Sequence, residues 1–151
     1  MARAGRTLFA ALAIGVASLA GSVASAQTVP ANAALTVRER LERPVSNGCR
    51  YLATVQGKIE PQGAGSDGRG PSRYAPVLTV SAEVDCGHGG LHHVDPTRID
   101  SPSYSQSELE AAIRDAARVN VDTAGRVCSY VPDVRVEGTN VSLPSLNESC
   151  R

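Results

Sequence analysis

Three histidines lie close together in the middle of the chain, among side chains that commonly bind metal ions. His88, His92 and His93 fall in a glycine-rich stretch that is flanked by Asp85 and Asp95. Imidazole and carboxylate groups are good ligands for zinc or copper. One hypothesis is therefore a metal site formed by His88, His92, His93 and Asp95. The competing interpretation is a solvent-exposed polar loop, because the spacing matches no helical HExxH pattern and adjacent residues of an extended segment point in opposite directions.

A second glycine-rich stretch precedes two arginines. Residues 63–68 match GxGxxG, but Arg69 and a Gly-Pro pair follow where a dinucleotide site needs a helix. We therefore interpret this stretch as a loop and expect no nucleotide cofactor. A loop that presents Arg69 and Arg73 on a rigid scaffold has the layout of a protease inhibitor, and this is a further alternative.

The N-terminus has the pattern of a secretory signal peptide. Arg3 and Arg6 precede an apolar run from Leu8 to Val23, and Ala24-Ser25-Ala26 supplies small residues for cleavage. The sequence therefore predicts that residues 1–26 are removed and that the mature chain is periplasmic or secreted. The apolar run is short and rich in small residues for a membrane-spanning helix, so we expect no stable membrane insertion after cleavage.

The composition indicates a small domain held by disulfides. The chain has 15 basic and 15 acidic side chains, so loss of Arg3 and Arg6 leaves a net charge of about −2 without a basic run. Nucleic acid is therefore not an expected partner. Large aromatic side chains are scarce, and four cysteines in an exported chain predict two disulfides that compensate for a core of small residues. Oxidised cysteines cannot act as thiol nucleophiles, and we expect no enzymatic activity.

Alternating apolar residues predict two long strands, from Cys49 to Ile59 and from about Tyr74 to Cys86. The apolar faces match if Cys49 lies opposite Cys86 in an antiparallel pair. Directly opposed residues come within reach of a disulfide, so the register predicts a Cys49–Cys86 bridge. The same register pairs Tyr51 with Val84, Ala53 with Ala82, Val55 with Val80, and Gly57 with Leu78.

Residues 27–48 are expected to be a polar leader. Val37 and Leu41 have the spacing of one narrow helical stripe that would stop before Pro44. The alternatives are a short docked helix and a frayed terminal segment.

The second half of the chain begins with a clear helix signal. Ser105 and Glu108 have the spacing of a capping box, the apolar residues that follow recur at helical spacing, and Gly125 is the expected stop. A third strand is predicted from Arg126 to Glu137. A turn then leads to a fourth strand at residues 141–143.

The third and fourth strands predict the second disulfide. Pairing Val136 with Val141 places Cys128 opposite Ser149, and one bulge near Pro144 would bring Cys150 to that position. The predicted bridge is therefore Cys128–Cys150.

Together these patterns predict an α+β fold over residues 49–151. It contains a four-stranded antiparallel sheet in the order β-β-α-β-β, with one helix packed across it and two disulfides. We expect a monomeric, exported, non-enzymatic binding or accessory protein whose partner is a protein or a small ligand.

Overall fold

The computed structural model describes residues 36–63 and 73–151, in which the protein is mostly strand with one α-helix. In chain order the elements are β1 (Thr36–Pro44), β2 (Arg50–Gln62), β3 (Arg73–Asp85), β4 (Leu91–Ile99), α1 (Gln106–Ala116), β5 (Val119–Thr123), β6 (Arg126–Pro132), β7 (Arg135–Glu137), β8 (Asn140–Ser142) and β9 (Leu146–Cys150). The predicted signal peptide lies outside the described residues. No helix in the described ranges is long and apolar enough to cross a membrane.

Strands β1 to β4 form a four-stranded antiparallel sheet in sequential order. The β2–β3 pair has the register that the alternation predicts, because Tyr51 lies opposite Val84 and Val55 lies opposite Val80. The inward side chains of both strands are buried. A four-stranded sheet is therefore present, but all its strands precede the helix, whereas the prediction placed two on each side.

Residues 36–44 form strand β1, so neither the short docked helix nor the frayed segment expected for the leader is correct there. Val37 and Leu41 are four residues apart, and this spacing puts two side chains on one face of a strand as well as on one face of a helix. Glu39 lies between them and accepts a hydrogen bond from the Leu143 backbone N–H at 3.4 Å. Strand β1 belongs to the same compact unit as the other described strands.

Strand β4 occupies the stretch that was expected to be a loop. It forms one edge of the four-stranded sheet, and its pairing with β3 shifts between Ala82 opposite Val94 and Val80 opposite Thr97. Pro96 lies in this irregularity, where a missing N–H is tolerated. The bulge interrupts the alternation of side chains and so weakens the strand pattern in the sequence.

Helix α1 begins as predicted and ends earlier than predicted. The Ser105 side chain accepts a hydrogen bond from Glu108 N, and the Glu108 carboxylate accepts one from Ser105 N, which completes the capping box. The helix ends at Ala116, and Gly125 instead lies between β5 and β6 with φ +81°. The predicted stop was wrong because Val119 and Val121 already alternate as a strand.

The C-terminal part forms a three-stranded sheet, β5-β6-β9, and a separate hairpin of β7 and β8. The predicted third strand is therefore two strands, which separate after Pro132. Val136 lies opposite Val141 as predicted, and Cys128 lies opposite Cys150 across β6 and β9. The Glu110 carboxylate on α1 accepts a hydrogen bond from Val136 N at 2.9 Å and so ties the hairpin to the helix.

Candidate binding groove

The structure separates the histidines that were considered as metal ligands. His88 lies in the short turn Gly87–Gly89, whereas His92 and His93 lie on β4, opposite Val84 and Glu83. Because Val84 is buried in the core, His92 faces the inner side of the sheet and His93 faces the outer side. The His92 Nε2 atom is shielded from solvent and has no hydrogen-bond partner.

No preformed metal site is present at the histidines in the described ranges. No three donor atoms of His88, His92, His93 and Asp95 lie within 4.8 Å of one another. The group that does meet this distance is Cys128, Glu148 and Cys150, and its two sulfurs are joined in a disulfide. Zinc or copper binding by the histidines stays a prediction, and titration of the oxidised protein with either metal would test it.

Arg73 is engaged within the fold. Its guanidinium donates to Ser103 Oγ at 2.7 Å and to the Ser103 carbonyl at 3.2 Å, and it lies 3.6 Å from the Glu108 carboxylate. These contacts hold the start of β3 beside the N-terminus of α1. Arg69, the other residue of the inhibitor hypothesis, lies outside the described residues.

Both disulfides have the connectivity that the strand registers predict. Cys49 is joined to Cys86 and Cys128 to Cys150, and within each pair the Cα atoms are 4.1 Å and 4.0 Å apart, respectively. All four cysteines are therefore oxidised. The first bridge joins the residue before β2 to the residue after β3 and so closes the open end of this hairpin. The second joins the end of β9 to β6.

A groove with a volume of about 620 Å³ is lined by both disulfides. Three short backbone segments form its walls: the turn after β1, the turn after β3, and the turn between β5 and β6. The inner face of the β5-β6-β9 sheet closes it, with Val121, Cys128 and Tyr130. The lining therefore combines apolar side chains and disulfide sulfurs with polar groups, and it is fixed by covalent bridges.

Two residues with left-handed backbone lie in the walls of this groove. Asn47 has φ 63° and Ala124 has φ 51°, and among described residues other than glycine only these two have positive φ. This conformation is costly for alanine, and such residues tend to cluster at functional sites. The groove therefore combines the covalent bridges with the strained backbone positions of the described chain.

The groove carries one unpaired cation at its rim. Arg126 is exposed, and its side chain makes no hydrogen bond or ion pair with any described residue. Glu148, next to the second disulfide, instead accepts a hydrogen bond from Ser46 N at 3.3 Å. Burial, and then the nearby Glu148 carboxylate, raises the pKa of Tyr130 above its usual range, so its hydroxyl is neutral at neutral pH.

Sequence reasoning did not find Asn47, Ala124 and Arg126 as candidate site residues. Asn47-Gly48 and Ala124-Gly125 both pair a residue with a following glycine, which is a signal for a turn. The sequence gives no signal that these turns meet, because they come from distant parts of the chain.

Comparisons with protein families, with curated proteins and with solved structures found no match.

Proposed function

We propose that the protein is an exported, non-enzymatic binding protein that holds an extended segment of a partner protein in the groove between its disulfides. The observation that carries the proposal is that both covalent bridges line the same groove.

Preorganisation of the walls favours binding. Association costs free energy when loops and side chains become ordered, and a wall that is already fixed avoids part of this cost. Cys49 and Cys86 fix two of the wall segments, and the Cys128–Cys150 bridge fixes the sheet behind them. The groove therefore keeps its shape before a partner arrives.

The lining indicates the chemistry of the partner segment. Ala124 and Cys150 are exposed and offer apolar and sulfur surface, with the buried Val121 and Tyr130 side chains behind them. The Arg126 guanidinium lies at the rim and makes no hydrogen bond or ion pair with a described residue. Guanidinium groups bind carboxylates with two parallel hydrogen bonds. The best fit is a segment that carries an apolar side chain next to an aspartate, a glutamate or a C-terminal carboxylate.

Two disulfides are typical of proteins in oxidising compartments. This supports a location outside the cytoplasm. The proposed cellular location is the periplasm or the extracellular space, where the bridges would persist.

Selection of random displayed peptides on the oxidised mature protein tests this function. We expect the selected peptides to share an acidic residue beside an apolar one, and Arg126→Ala to weaken their binding at least about tenfold. Arg38→Ala is the matched control. Arg38 lies on β1, outside the groove lining, and its exposed side chain makes no hydrogen bond or ion pair with a described residue. Selected peptides without acidic residues, or equal binding by Arg126→Ala, would overturn the proposal.

A further inference from the structure

The sheet behind the groove has a second face, which points away from the core. On the central strand β6 this outer face carries Val127, Ser129 and Val131, which alternate with buried Cys128 and Tyr130. Val127 is 47% exposed, a large fraction for an apolar side chain. A shallow depression of about 620 Å³ lies over these residues. The outer face therefore carries two valines on its central strand among polar residues, and Val127 is open to solvent.

Ser129 adds a polar group without a partner at the middle of this face. Its Oγ atom is shielded from solvent and makes no hydrogen bond. A shielded hydroxyl without a partner is costly.

The corners of the outer face carry charges of both signs. Arg118 and Asp122 lie at the two ends of the β5 edge, and Arg151 lies at the end of the β9 edge. Arg118 contacts Asp115 on its own chain at 3.2 Å in an exposed ion pair. Asp122 and Arg151 form no side-chain hydrogen bond or ion pair with any residue in the described ranges.

This pattern is complementary to itself. Two copies can pack face to face about a two-fold axis that lies between their sheets. If this axis runs across the strands, β5 of one copy lies over β5 of the other in the reverse direction, and Asp122 meets Arg118. If the axis runs along the strands, β5 lies over β9 and Asp122 meets Arg151. In both cases Ser129 lies over Ser129, and the valines of the two copies pack together. The same surface of each copy therefore forms both sides of the interface, as two-fold symmetry requires.

We propose that the protein dimerises through the outer face of the β5-β6-β9 sheet, with Asp122 of each copy paired with an arginine of the other. Three strands of five to seven residues cover less than the roughly 800 Å² per partner of a standard interface, so we expect the dimer to be reversible. It replaces the monomer expected from the sequence. The inference is independent of the proposed function, and a dimer would carry two grooves.

Sedimentation velocity over a range of protein concentrations tests the dimer. We expect reversible dimerisation that weakens as salt is added. Asp122→Arg turns attraction into repulsion at two symmetric positions, and the dissociation constant should rise about tenfold or more. Asp95→Arg is the matched control, because Asp95 is an exposed aspartate on β4 whose side chain makes no hydrogen bond or ion pair with a described residue.

Charge reversal on the opposing arginine completes the test. Either R118D or R151D, added to D122R, should restore dimerisation, and the one that does so identifies the two-fold axis. Circular dichroism spectra should show that all variants are folded. A protein that sediments as a monomer at every concentration would overturn the proposal, as would a dimer that is insensitive to D122R or rescued by neither reversal.

Discussion

Tyr51 joins the four-stranded sheet to the end of the helix, and we expect its hydroxyl to contribute to stability in a way that depends on pH. The side chain is fully buried, and its hydroxyl donates a hydrogen bond to the Ala117 carbonyl at 2.7 Å. Tyr51→Phe keeps the ring and removes the donor, which leaves a buried carbonyl without this partner. The expected loss in the free energy of unfolding at neutral pH is about 1–3 kcal/mol.

The pH dependence follows from the buried phenol. Burial raises the pKa of folded Tyr51 well above its ordinary value of 10.0. The unfolded chain therefore loses this proton first as the pH rises. The contribution of Tyr51 is fully present below about pH 10 and falls by about 1.4 kcal/mol per pH unit above it. Because the Phe variant has no hydroxyl at residue 51 to ionise, the stability difference should narrow over this range.

Urea unfolding of both proteins between about pH 8 and pH 11 measures this difference, since the ionisation above pH 10 is the effect in question. Tyr104→Phe is the control for a tyrosine hydroxyl, because the Tyr104 side chain makes no hydrogen bond with a described residue. Its stability should stay within about 0.5 kcal/mol of the unsubstituted protein. A stability difference between Tyr51→Phe and the unsubstituted protein that stays constant up to pH 11 would refute the reasoning.

Substitutions at three further residues test other parts of the fold by urea unfolding. Gly57→Ala should destabilise the protein by about 2 kcal/mol or more, because φ is +140° and the new Cβ would collide with the Val77 carbonyl oxygen; a loss below about 0.5 kcal/mol would contradict this. Glu110→Ala should cost about 1.5–3 kcal/mol through loss of the bond to Val136 N, whereas Glu110→Gln keeps an acceptor and should cost less. Ser105→Ala removes the helix cap and should cost about 1 kcal/mol, with Ser105→Asp as the variant that retains capping.

The parts of the fold that could be predicted are those in which one periodic pattern is strong. Strands β2 and β3 have regular apolar alternation over most of their length, and one cysteine flanks each strand at the same end of the hairpin. A register slip of one residue would have turned one apolar face to water. The pattern therefore determined the strand pair and the Cys49–Cys86 bridge together.

The strands that were missed have a polar residue or a bulge where the pattern needs an apolar residue. Glu39 occupies an inward position of β1, and its carboxylate is satisfied by a backbone N–H from a distant part of the chain. In β4, His92 occupies an inward position, and the irregularity around Pro96 shifts the alternation. Their place in the sheet depends on neighbours that the local sequence does not reveal.

The groove is harder to predict than the strands because it is defined by distance in space. Asn47, Ala124 and Arg126 come from turns that are far apart in the chain, and each turn alone has only a common glycine signal. The cysteines were the long-range markers in the sequence. Their pairing was predicted, but the meeting of the two bridges at one cavity depends on how the two sheets pack together.

The position of the first bridge also affects how freely the chain can change during evolution or by design. The β2–β3 hairpin is covalently closed where Arg50 lies opposite Asp85, and its other end is where Gln62 lies opposite Arg73. Insertions between Gln62 and Arg73 would lie at the end of the hairpin away from the first bridge and the groove. Insertions in the turns beside the cysteines would instead alter the groove. The molecule therefore offers one end for grafting a new sequence and one end that must be kept.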